Sequence, residues 1–317
     1  MQANRPLPEG FQLENYRILR VLAAGGFSIV YLAQDGTGSA VALKEYLPAA
    51  LALRTGSSSA PVVTAENLAA FRFGMKCFFE EGRSLAGLRH PNLVRVLNFF
   101  RANGTAYMAM RYERGRTLQE HIGTRSGALK ELAICNMFIG LLDGLREVHA
   151  TKLLHLDIKP GNIYIRDDGL PLLIDFGAAR QTLSAAGARL AAMHTPGFAS
   201  PEHHGPRNAL GPWSDTYSVG ASMYACLAAA PPPPAAERLK KDRMVPARRG
   251  WSGRYSAEFL DTIDWCLRLD PMERPQSVFA LQKALTGERA PAYRGAVPAP
   301  IPVLDQLKQT ILGAQTG

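Results

Sequence analysis

Cysteine is scarce and scattered in this chain: Cys77, Cys135, Cys226 and Cys266 are the 4 among 317 residues, and no two stand close together. That spacing excludes a zinc finger or a disulfide scaffold and suits thiols buried in a reducing cytoplasm. Long apolar runs are also missing. The nearest approach, Val219 to Ala230, spans 12 residues and ends in Pro231 to Pro234, short of the roughly 20 that a membrane-crossing helix needs. No secretory leader is expected, because Glu9 and Glu14 stand where a leader keeps an apolar stretch. Acidic residues are outnumbered, 27 Asp and Glu against 36 Lys and Arg, for a net charge of +9. The balance excludes an acidic solvating tail and permits an acidic partner. Internal repeats are lacking, and Pro231 to Pro234 is the one low-complexity tract. What is present in quantity is apolar material: 47% of residues are hydrophobic, enough for one large core or two adjoining ones.

Short β-like runs fill the first third: Tyr16 to Leu22, Ser28 to Gln34, Ala40 to Glu45, Leu93 to Phe100 and Ala106 to Tyr112. One helical pattern interrupts them between Thr64 and Leu88, where Leu68, Phe71, Met75, Phe78, Leu85 and Leu88 recur at three- and four-residue steps and mark a buried stripe. Beyond about residue 115 the texture turns helical, clearest in Leu129 to Ala150, Ser214 to Leu227, Ala257 to Leu267 and Gln276 to Leu285. Residues 287–303, rich in Ala, Pro and Gly, read as a linker. Leu304, Leu307 and Ile311 then predict a brief amphipathic docking tail.

The strongest chemical signal is His155-Leu156-Asp157-Ile158-Lys159-Pro160-Gly161-Asn162, followed thirteen residues later by Asp175-Phe176-Gly177. Phosphoryl transfer needs a carboxylate beside the attacking hydroxyl, a cation near the transferred group and oxygen ligands for magnesium. Asp157 suits the first role, Lys159 the second, and Asn162 with Asp175 the third. Ile163 to Ile165 and Leu172 to Ile174 predict a hairpin with Asp167-Asp168-Gly169 at its turn, bringing Asn162 and Asp175 side by side.

With these motifs the chain resembles the eukaryotic-type serine/threonine protein kinases over about residues 16–286. The resemblance implies an α+β, two-lobed fold: a small β-rich lobe with one long helix over 16–112, and a larger, mainly helical lobe over 113–286. Residues 1–15 are then an extension and 287–317 the linker and tail. Val41-Ala42-Leu43-Lys44 is similar to the strand whose lysine grips the nucleotide's phosphates, and Glu81, a carboxylate within the helical stripe, is the economical partner for Lys44. The implied cofactors are ATP and Mg2+, with Mn2+ as an alternative ion. Leu22, Val30, Ala42, Met110 and Tyr164 wall the implied adenine site, with Met110 at the gatekeeper position and Tyr112 beyond it. Thr195 to Glu202 resembles the peptide-positioning loop with its closing Ala-Pro-Glu, here with Ser200 for the alanine. Asp215 matches an aspartate that holds the backbone around His155 and Asp157, and Arg274 matches a late arginine that pairs with Glu202. Lys159 points to serine and threonine acceptors, and the implied partners are protein substrates.

Two departures qualify the likeness. The glycine-rich turn Leu22-Ala23-Ala24-Gly25-Gly26-Phe27-Ser28-Ile29-Val30 keeps the central glycine of the usual three, with Ala23 and Ser28 for the outer two; weaker nucleotide binding is one expected consequence. Leu156 replaces the arginine that normally reads a phosphate on the activation segment, so activity independent of phosphorylation at Thr182, Ser184 or Thr195 is expected. Together they leave open a second reading, a pseudokinase acting as a nucleotide-binding scaffold. Lys44-Glu45-Tyr46-Leu47-Pro48 opens an insertion that resembles bacterial members of the family, with Arg54 to Ser59 predicted as a turn between two extra strands. Between Arg238 and Arg254, seven basic residues face Asp242 alone. They form either a solvated face or a docking surface for an acidic partner. Nucleic acid ranks third, with Trp251 and Tyr255 the available stacking rings.

Overall fold

Strand Ser28–Gln34 alternates buried and half-buried positions, and Ala40–Tyr46 begins the same way before its last four residues are all buried, which marks a sheet covered on both faces near one end. The computed structural model describes residues 4–56, 58–125, 129–176, 195–205 and 209–287. Expectations placed on Gly177, Thr182, Ser184 and the tail with Leu304, Leu307 and Ile311 lie outside these residues. The chain divides into two compact units, the first running to Arg114 and the second taking up at Gly115.

The first unit is built on a six-stranded antiparallel sheet of β1 (Gln12–Leu13), β2 (Tyr16–Ala24), β3 (Ser28–Gln34), β4 (Ala40–Tyr46), β5 (Val96–Ala102) and β6 (Thr105–Arg111), ordered β1-β2-β3-β4-β6-β5. Register sets Lys44 between Val30 and Met108, and Ala42 between Leu32 and Met110. Strand alternation therefore puts Ala23, Val30, Ala42, Lys44, Met108 and Met110 on one face, and Tyr31, Leu43, Glu45 and Tyr107 on the other. Helix α1 (Leu68–Ala86) covers part of the Lys44 face and leaves Val30, Ala42 and Met110 half-buried.

The helix starts at Leu68 rather than Thr64, and its buried line differs from the predicted stripe. Leu68 is exposed and Met75 half-buried, while Gly74, Cys77 and Gly82 are buried with Phe71, Phe78, Glu81 and Leu85. Small residues set this line: a Cβ on Gly74 would run into the Tyr46 hydroxyl, and one on Gly82 would stand 3.2 Å from the Met108 methyl. Large apolar residues alone point one step aside. In the insertion the two predicted strands reduce to a single antiparallel bridge, Leu53 with Val62.

The second unit packs α2 (Leu118–Arg125), α3 (Glu131–Ala150), α4 (Pro212–Ala228), α5 (Ala235–Lys240), α6 (Ala247–Gly250), α7 (Ala257–Cys266) and α8 (Val278–Leu285) with a small sheet of β7 (Gly115–Thr117), β8 (Ile163–Arg166) and β9 (Pro171–Leu173). Helix α4 is buried continuously from Ser214 to Leu227 and is the axis of this core, with α3, α7 and α8 packed against it. Ser256 and Ser277 cap α7 and α8 by accepting from the Phe259 and Ala280 amides. Among the described residues no helix is long and apolar enough to cross a membrane, and all four cysteines are free, three of them buried.

Candidate active site

In the first unit β4 carries Lys44 and α1 carries Glu81. The two side chains, each 3% exposed, form an ion pair at 3.8 Å, and the ammonium lies 5.9 Å from the Phe78 ring centre. The close approach at Gly74 and Gly82 is what brings the helix carboxylate within reach of the strand. The turn between β2 and β3 closes with Gly25 N–H donating to Ser28 O at 2.9 Å, and the insertion holds it from behind: Leu47 and Ala49 amides donate to Phe27 and Gly26 carbonyls at 2.9 and 2.8 Å. Ala23 sits in register with Val30. Leu22 is half-buried at a β-bulge, and Tyr112, just past β6, is half-buried too.

The face behind Lys44 holds a cluster that sequence patterns missed. Glu45, 0% exposed, receives both guanidinium nitrogens of Arg54 at 2.6 and 2.7 Å, the Tyr31 hydroxyl at 2.7 Å and the Tyr107 hydroxyl at 2.5 Å. Burial and the Glu45 charge push both phenols well above their ordinary range, so they stay protonated and donate. Arg54 also donates to the Arg5 and Ser59 carbonyls, tying the N-terminal segment and the insertion to the sheet.

In the second unit the predicted hairpin forms as β8 and β9 with Ile163 opposite Leu173, its second strand running Pro171–Leu173 rather than Leu172 to Ile174, and Gly169 takes the left-handed turn position at φ 83°. Ile174 N–H donates to Asn162 O at 3.0 Å, so Asp175 emerges beside Asn162 at the hairpin's open end. Asp175 itself is half-buried with φ 60°, and Tyr164 on β8 is half-buried. Asp157 gathers the loop: Lys159 Nζ donates to its two oxygens at 3.1 and 2.9 Å, Asn162 Nδ2 to Oδ2 at 2.9 Å, and Thr195 Oγ1 lies 3.3 Å from Oδ1. Thr195 also accepts from Lys159 at 2.8 Å.

Beneath this loop lies a buried frame. Asp215 accepts from the His155 amide at 2.9 Å, from the Leu156 amide at 2.7 Å, and bonds His149 Nε2 at 2.7 Å; His149 was not among the residues the motifs singled out. His155 Nε2 donates to Ile174 O, its Nδ1 accepts from the Asp157 amide, and its ring lies 4.5 Å from that of Phe176. Glu202 and Arg274, both fully buried, pair at 2.7 and 3.1 Å, and Ser214 donates to the same carboxylate.

Burial lowers the proton affinity of His155, His203 and His204. For Glu202 and Asp215 burial works upward, but Arg274 with Ser214, and His149 with the backbone amides, outweigh it and leave both low. All five groups bind protons more weakly folded than unfolded, so their stabilisation is complete above the ordinary histidine value of 6.5 and declines as pH falls through it and then below 4.5. Melting temperatures measured downward from pH 8 are expected to drop first between about pH 7 and 5; a rise on acidification would refute this.

The basic stretch is less uniform than its composition predicts. Arg238 is buried, bound to Asp242 at 2.9 Å and to the Tyr217 hydroxyl, and Arg248 pairs with Asp261 at 3.6 Å, while Lys241, Arg243 and Arg249 are exposed. Tyr255 is buried and offers no stacking face, while the half-buried Trp251 makes a T-shaped contact with Tyr224.

Comparison with known proteins gives the family. A protein kinase domain model matches residues 16–285. The chain is 30% identical over 212 residues to mouse serine/threonine-protein kinase Nek1, covering 65% of this chain and 17% of that protein. To serine/threonine-protein kinase C of Synechocystis it is 28% identical over 283 residues, covering 86% and 49%. The chain thus spans at most about half the length of these relatives. Among solved structures, PpkA-294 in its apo form matches with TM-score 0.81 and 33% identity over 88% of this chain and 99% of that one. The PknI kinase domain of Mycobacterium tuberculosis, solved as a point mutant, matches with TM-score 0.67 and 21% identity over 90% and 99%.

Proposed function

Because the chain belongs to the protein kinase domain family, we propose that it transfers the γ-phosphate of MgATP to serine and threonine hydroxyls of protein substrates. The observation that carries this reading is the Asp157 carboxylate, which gathers an ammonium, an amide and a hydroxyl. A hydroxyl already lies within reach of Asp157 Oδ1 in the form of Thr195, which supports Asp157 as the group that orients the acceptor and takes its proton. Lys159 offsets charge on the transferring group, and Lys44, steadied by Glu81, holds the remaining phosphates.

Asn162 and Asp175 fit magnesium: Asn162 makes both of its bonds to Asp157 through the amide nitrogen, its oxygen is in neither, and the pair offers the hard oxygen donors this ion takes. Bound there, the ion neutralises charge on the phosphate oxygens; Mn2+ is the alternative. Gly25 and Gly26 have no positive φ, and a Cβ on Gly26 would meet nothing within 4 Å. The fold itself does not ask for these glycines, which supports close approach of phosphate to the turn. The half-buried Leu22, Val30, Ala42, Met110 and Tyr164, with Tyr112, suit adenine. Free cysteines suit a cytoplasmic setting, the exposed Lys241, Arg243 and Arg249 suit an acidic docking partner, and Leu156 suits activity without activation-segment phosphorylation.

Incubation with labelled MgATP and a generic protein acceptor, beside a Lys44→Met variant, tests the reading. Transfer by the wild type, lowered about 100-fold or more in the variant, is expected. Nucleotide binding without transfer under any divalent metal would instead establish the scaffold.

A further inference from the structure

The two departures at Leu156 and Ser200 meet on one side chain. Leu156 adopts the left-handed conformation, φ 60°, which leucine rarely takes and keeps only where its surroundings hold it. Its amide is held by Asp215 at 2.7 Å, and its carbonyl lies 3.3 Å from His203 Nε2. A carbonyl can only accept, so Nε2 carries the proton. In the neutral ring Nδ1 is then an acceptor, and Ser200 Oγ stands 2.7 Å from it, placed to donate. Ser200 is fully buried and His203 is 8% exposed, which favours the neutral imidazole.

We propose that His203 is a positioning residue: through a relay from the Ser200 hydroxyl to the Leu156 carbonyl it fixes the peptide that leads into Asp157. The opposite end of that same peptide is fixed as well, because the Asp157 amide donates to His155 Nδ1 at 3.2 Å. Three buried side chains, Asp215, His203 and His155, thus hold three successive peptide groups, those leading into His155, Leu156 and Asp157. Where the family's arginine waits for a phosphate, this chain carries a permanent internal restraint. Leu156, buried at 7% exposure, adds packing and no charge. The effect on phosphate transfer rests on the kinase reading above; the restraint itself does not.

Three variants of the full chain, prepared unphosphorylated, test this by steady-state kinetics and by hydrogen exchange of the amides of Leu156 and Asp157. His203→Phe keeps the ring and loses the donor; kcat is expected to fall about tenfold or more with KM for ATP within about twofold, and exchange to rise about tenfold. His203→Gln retains an N–H donor and is expected to recover kcat to within about threefold of wild type, with Ser200→Ala falling between the two. Wild-type kcat and exchange in His203→Phe would overturn the proposal, as would equal damage in His203→Gln and His203→Phe, which marks a packing role alone. Should His203→Phe fail to fold, Ser200→Ala decides: unchanged kcat and exchange overturn the relay, and a coupled loss supports it. A wild type that transfers no phosphate while the variants still speed exchange sinks the kinase reading and leaves the restraint standing.

Discussion

Asp157→Asn is expected to lower kcat for phosphate transfer by about 10²- to 10⁴-fold, the range typical of a lost general base, with little change in KM for ATP. The substitution is nearly isosteric. Its amide oxygen can still accept from Asn162, which donates to the Asp157 side chain at 2.9 Å, so the loop frame built on Asp215 and His155 stays in place. What disappears is the negative charge. Lys159, held at 2.9 Å, loses its counterion, and the acceptor hydroxyl loses the group proposed to take its proton. Labelled-ATP kinetics on matched preparations give the result directly, and a variant retaining more than a tenth of wild-type kcat removes Asp157 from that role.

The second large effect is on stability. Arg54→Leu leaves Glu45 buried with two phenol donors but no cation. Breaking a buried pair from one side typically costs about 3–5 kcal/mol, because the remaining charge is desolvated and uncompensated. For a unit of this size that corresponds to a melting temperature lower by roughly 10 °C or more. A further Glu45→Gln change in the same chain is expected to restore part of the loss, since a neutral amide still accepts from Tyr31 and Tyr107. Thermal denaturation of wild type, Arg54→Leu, Glu45→Gln and the double variant closes the cycle. A loss below about 1 kcal/mol in Arg54→Leu, the range of exposed pairs, overturns this account.

These two cases also divide what the chain's letters disclose from what they conceal. The residues around Asp157 were readable because their chemistry demands fixed spacing within one short loop and its hairpin, and the hairpin's pattern of apolar residues and Asp-Gly turn carries Asp175 to Asn162. Lys44 and Glu81 were readable for a related reason: a carboxylate inside an apolar helical stripe calls for a cation. The Glu45 cluster was not. Arg54, Tyr31 and Tyr107 lie 9, 14 and 62 residues from it, and a glutamate beside a motif lysine reads as the solvent-facing half of an alternating strand. The fold covers that face too, with the insertion and the N-terminal segment, so alternation fails as a guide to exposure. The buried line of α1 was misread by one step because Gly74 and Gly82 carry no hydrophobic signal, although their absence of side chain is what admits the sheet. His203 and His149 escaped notice because each acts through backbone or a buried aspartate, and neither role leaves a spacing rule.

Adjacent residues of β4 bear opposite charges and point into opposite buried faces, Lys44 toward Glu81 and Glu45 toward Arg54. A slip of this strand by one residue against its neighbours would exchange those faces. Depending on its direction, Lys44 would then meet Arg54 or Glu45 would meet Glu81, a like-charge encounter either way where few waters could screen it. The strand is keyed in its alignment by charge as well as by shape, so Lys44 has a single depth at which the chain can fold.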